Sequence, residues 1–124
     1  LKHNAKDLSF DGLMDNIKLQ CAMLPIEIAA DGTKYFVSYC DGLKFCQANG
    51  GEEKVYSPEQ LYSIWDDIRE QSIYEGAKDS RLFCELLKSL GYLSEINIIK
   101  SKQSIAGYQI NNGLGRAYNA EVSV

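Results

Sequence analysis

The chain is poor in the residues that much enzyme chemistry relies on. A single histidine, His3, sits beside the start of the 124 residues. That excludes most histidine-based catalytic and zinc sites. The longest apolar stretch, residues 21–26, is short and contains Pro25, whereas a membrane helix needs about 20 apolar residues. Prolines number two and glycines ten, too few for a collagen-like or low-complexity chain. The opening Leu-Lys-His-Asn-Ala-Lys-Asp lacks the apolar segment of a signal peptide. A leader already removed stays compatible with a first residue that is not Met. Walker, Rossmann, EF-hand, G-x-S-x-G and H-E-x-x-H patterns are all absent, so no catalytic residue, metal ligand or cofactor is assigned.

Cysteines number four, at positions 21, 40, 46 and 84. Cys21 and Cys84 stand alone, which does not suit the paired spacing of a zinc site. Cys40 and Cys46 flank the Asp41-Gly42 turn signal by spacing, where a disulfide is geometrically allowed. The favoured reading is four reduced, mostly buried thiols acting as small hydrophobes, which points to a cytoplasmic setting.

What remains is an ordinary globular composition: 45% apolar, 24% charged, net charge −4. The length suits a single domain over residues 1–124. The first apolar pattern, Leu13, Met14, Ile17, Cys21 and Leu24, fits one helical face over roughly 9–22, with Asp7 or Ser9 as cap. Residues 17–23 also alternate as a strand would. Residues 25–56 alternate as a meander of strands, with turns at Asp31-Gly32, Asp41-Gly42 and Asn49-Gly50-Gly51. In the second strand Tyr35, Val37 and Tyr39 share one face. Ser57-Pro58-Glu59-Gln60 is a capping box with proline at the first helical position. Leu61, Ile64, Trp65 and Ile68 then make the stripe of a helix from 58 to about 73. Asp79 or Ser80 caps a second helix that Gly91 ends. Strands return beyond residue 95, with a further turn signal at Asn111-Asn112-Gly113. The fold class is α+β: a mainly antiparallel sheet, strand meander plus C-terminal hairpin, packed against two or three helices.

Charge is unevenly spread. Residues 51–95 carry ten acidic and five basic side chains, and residues 96–124 carry one acidic and three basic. An acidic helical face with Asp66, Asp67 and Glu70 is therefore a docking candidate for a basic partner. Trp65 with Arg69, four residues on, is a hot-spot candidate. Eight tyrosines suggest a contact surface, with Tyr35 and Tyr39 first.

The leading expectation is a small acidic binding protein of inhibitor, immunity or adaptor type, working by protein contact and not by catalysis. The alternative is a binder of a nucleotide-like small anion using Tyr108, Tyr118, Arg116, Arg81 and Lys100. A third reading takes helix 58–73, helix 80–90 and a hairpin over 94–111 as the end of a winged helix, with Arg81 and Lys88 reading DNA. The low pI disfavours nucleic acid as a partner. A self-complementary sheet edge admits a homo-oligomer, and no membrane partner is expected.

Overall fold

The structure, a computed structural model, describes residues 8–71, 73–76, 78–111 and 121–123. It is α+β with antiparallel sheet, and it divides into two compact units, Leu8–Asp66 and a second that runs from Asp67 onward.

In the first unit, helix α1 spans Phe10–Met23. Ser9 is its cap, its hydroxyl accepting from the Gly12 amide at 3.1 Å. The helical spacing prevails over the competing alternation because it gathers Leu13, Met14 and Ile17 on one buried face. That face stops short of the expected stripe, since Cys21 is half-buried and Leu24 is 72% exposed.

Four antiparallel strands follow in order: β1 Ile26–Ala30, β2 Thr33–Tyr39, β3 Leu43–Gln47 and β4 Glu53–Tyr56. Val37 pairs with Phe45 and Leu43 with Tyr56, so these buried side chains share the inner face with Ile28 and Ala30. Helix α1 lies against β2. The β2–β3 loop holds three residues between the paired Tyr39 and Leu43, one more than Asp41-Gly42 alone implies. Asp41 has φ 48° and Gly42 φ 125°. A Cβ on Gly42 would meet the Tyr56 carbonyl oxygen at 2.3 Å, so both backbone shape and space demand glycine there.

Helix α2, Pro58–Glu70, begins at the expected capping box. Gln60 N donates to Ser57 Oγ at 3.2 Å, and Ser57 N donates back to Gln60 Oε1 at 2.8 Å. The helix ends three residues before the expected position, ahead of Gly76.

In the second unit, a short 3-10 turn, Lys78–Ser80, leads into helix α3, Arg81–Ser89. Ser80 occupies the cap position without a side-chain capping bond. Its Oγ accepts from Tyr74 Oη at 3.1 Å instead. Gly91, φ 91°, closes α3: Gly91 N reaches Lys88 O at 3.1 Å and Tyr92 N reaches Leu87 O at 2.9 Å, the paired bonds of a Schellman end.

Strand β5, Leu93–Lys100, is central to the second sheet. It pairs antiparallel with β6, Gln103–Ile110, and parallel with β7, Glu121–Ser123. The hairpin turn falls at Ser101-Lys102, both at positive φ (48° and 66°). Asn111 follows β6 at the start of the expected Asn-Asn-Gly turn, whose other two residues lie outside the described residues. It is 7% exposed and accepts from Ser94 Oγ at 2.6 Å, while its Nδ2 donates to Gly91 O at 2.6 Å.

Candidate functional site

The expected contact residues divide once their surroundings are known. Trp65 is 1% exposed and its indole N–H donates to Leu8 O at 3.3 Å. It is a core group and not a surface hot spot, because the helix stripe turns it inward; Arg69 stays exposed. Asp67 and Glu70 are exposed and Asp66 is half-buried, the polar side that helical spacing assigns them.

One of the two tyrosines in the expected anion-binding set is not accessible. Tyr108 is 1% exposed, and its hydroxyl donates to Glu85 Oε2 at 2.6 Å. Lys100 is ion-paired with Glu75, and Arg81 is half-buried. Arg116 and Tyr118 lie outside the described residues, as do His3 and the Asn112-Gly113 part of the expected turn. The second helix also offers less charge than its sequence suggests. Lys88 Nζ lies 2.9 Å from Glu85 and 3.1 Å from Glu95. Burial alone would lower its pKa, yet bonds to both carboxylates hold it above its ordinary value.

All four cysteines are free, and Cys84 alone is buried; Cys40 is exposed, and Cys21 and Cys46 are half-buried. The expectation of mostly buried thiols is therefore corrected, because Cys46 pairs with the exposed Phe36 on the outer face of the sheet and Cys40 lies in the β2–β3 loop.

Tyr35 and Tyr39 lie on the inner side of β2, half-buried about the buried Val37. Tyr39 faces a groove of about 420 Å³. Helix α1 supplies Phe10, Asp11, Met14 and Asp15 to this groove. The chain end of β2 and its loop supply Tyr39, Asp41 and Gly42, and Pro58 closes one side. Residues 10, 11, 14 and 15 project together because they are one turn apart on α1. Asp41 is brought in by the left-handed loop that Gly42 permits.

The groove thus has an aromatic and thioether floor with three aspartates at its margin. Among the described residues Asp11, Asp15 and Asp41 form no ion pair. Asp11 and Asp15 stand at i, i+4, where like charges destabilise a helix by a few tenths of a kcal/mol. Lys18 is not among the lining residues, but its ammonium lies 5.7 Å from the centre of the Tyr39 ring, which is. Among the described residues, no acidic or cysteine cluster has the arrangement of a metal site.

The wider charge supports this placement. Leu8–Asp66 carries nine carboxylates against four lysines, a balance of −5. Residues 67–124 carry seven of each sign. Counting by stretches of chain assigned the acidity to the helices; grouping by compact unit assigns it to the unit with the groove. Sequence reasoning found Tyr39 but missed Asp11, Asp15 and Asp41. Asp11 and Asp15 were legible as a repeated acid on the helix face next to Phe10 and Met14. Asp41 was read only as a turn former.

Compared with known proteins, the chain matches no family model, no curated protein and no solved structure. Among the described residues no helix is long and apolar enough to cross a membrane.

Proposed function

We propose that this protein works by contact with a basic protein partner, and that the groove beside Tyr39 is where the partner docks. The carrying observation is the meeting of an aromatic floor with three aspartates that form no ion pair among the described residues. Such a margin attracts cations at a distance and offers carboxylates to guanidinium or ammonium groups on arrival. The −5 balance of the same unit adds to the attraction and raises the rate of encounter at low salt. Inhibitor, immunity and adaptor proteins act in this way, through a surface and without turnover.

The test is a nuclear magnetic resonance titration of the whole chain with a blocked peptide of alternating glycine and arginine. The expected result is shifts concentrated on the amides of residues 10–18 and 39–42, weakening strongly as salt rises. Shifts concentrated on residues 66–70 would transfer the docking role to the α2 face. No saturable shift at low salt would remove the reading altogether.

A further inference from the structure

A cation of the chain itself lies over a ring that lines the groove. Lys18 is one helical turn beyond Met14 and three residues beyond Asp15, so it stands on the same side of α1 as the groove. Its ammonium is over Tyr39 at 5.7 Å from the ring centre, within the range at which an aromatic face attracts a cation. It forms no ion pair among the described residues. Lysine is exposed here, so its hold on the ring is weak and exchangeable. An arginine from outside has a stronger claim: its planar guanidinium can stack on Tyr39 while its fork of N–H donors reaches the carboxylates.

Resting on the docking reading above, we infer that the groove is a receptor for an arginine side chain presented by a partner protein, and that Lys18 is an internal occupant of the Tyr39 face which that arginine displaces. Phe10 and Met14 would line the aliphatic stem, and Asp11, Asp15 and Asp41 would take the guanidinium. Lys18 then sets the affinity from within: it competes for the ring and lowers the local negative potential. It also discriminates, because a cation too weak to displace it gains only diffuse attraction.

A second lysine in the same unit makes the idea separable from simple charge. Lys54 lies over the ring of Tyr56 at 5.4 Å, and Tyr56, unlike Tyr39, does not line the groove. Lys18→Ala and Lys54→Ala remove the same charge and the same kind of ring contact at two places. The experiment is calorimetric titration of the wild type, K18A and K54A with the glycine–arginine peptide, its lysine counterpart and N-acetylarginine amide.

An exposed cation–π contact is worth about two- to fivefold in affinity. K18A should therefore bind the arginine peptide about two- to fivefold tighter than wild type, and K54A should stay near wild type. The arginine peptide should bind tighter than the lysine peptide, and both tighter than the single amino-acid amide. Equal gains in K18A and K54A would overturn the displacement while leaving the acidic groove intact. So would a loss of binding in K18A, which would make Lys18 part of the partner contact. An amino-acid amide that binds as tightly as the peptide would overturn a protein partner in favour of a small guanidino compound. No binding of either peptide to any form would overturn the docking reading itself.

Discussion

Tyr108 Oη donates to Glu85 Oε2 at 2.6 Å in the interior of the second unit, where the two residues are 1% and 7% exposed. The same carboxylate meets the Lys88 ammonium at 2.9 Å. A buried carboxylate needs both partners to offset its lost hydration. Tyr108→Phe removes the phenol hydroxyl and keeps the ring. A hydrogen bond to a charged group contributes about 1.5–3 kcal/mol, so urea unfolding should show a loss of that size. A change within about 0.5 kcal/mol of wild type, the scatter of ordinary surface changes, would show that the bond contributes nothing net.

Alkaline pH should destabilise the folded chain. Burial pushes the Cys84 thiol up from 9.0 to about 12, against a smaller opposing effect of its bond to Ser80. Tyr108 is raised too, first by burial and then by the bond to Glu85. Below about pH 9 both groups keep their protons in the folded and unfolded chain alike. Above that, the unfolded chain releases protons that the folded one retains, so stability falls with pH. Denaturant midpoints should decline between about pH 9 and 12, and Cys84→Ala should flatten the decline. An identical slope in that variant would remove Cys84 as a cause.

The sole tryptophan makes the first unit easy to follow. With Trp65 1% exposed and bonded to Leu8 O, its emission should be blue-shifted and poorly quenched by iodide. Unfolding should shift it to the red in one step with the loss of helix signal. Native emission quenched as readily as free indole would contradict the buried placement. Trp65→Ala should cost about 3–5 kcal/mol, the usual penalty for an emptied aromatic site.

Gly42 holds the loop that carries Asp41 into the groove. With φ 125° and the Tyr56 carbonyl 2.3 Å from any added Cβ, Gly42→Ala should destabilise by about 2–4 kcal/mol. Asp41→Asn, by contrast, should leave the fold intact, because asparagine also tolerates a left-handed backbone. Yet it should weaken peptide binding. Thermal unfolding of the two variants, beside their titrations, separates the loop's shape from its charge. An unaltered melting temperature in Gly42→Ala would refute the steric account.

Local grammar in the sequence accounts for most of the secondary structure. The Ser57/Gln60 box, the Gly91 stop, the alternation of β2 and the Leu13, Met14 and Ile17 part of the α1 stripe are short-range devices. Their energetics depend on neighbours three or four residues away, so they survive folding unchanged. The hairpin over 94–111 was legible, but the left-handed backbone of its Ser101-Lys102 turn was not, because neither residue announces it. Nor was the role of Asn111, whose side-chain bonds reach back to Ser94 and Gly91. The single histidine and the absence of the known catalytic motifs are likewise read from the sequence alone.

Which side chains meet was decided only by the tertiary structure. Tyr108 and Trp65 are amphipathic residues that suit a surface or a core equally well. Packing sent both inside, and no local pattern distinguishes the two outcomes. Asp15 and Asp41 are 26 positions apart, and they share a groove because α1 lies on β2 and Gly42 bends the loop beneath it. The net charge of −4 could be read from composition. That three of its aspartates line one aromatic groove follows from chain reversals, which place distant residues side by side.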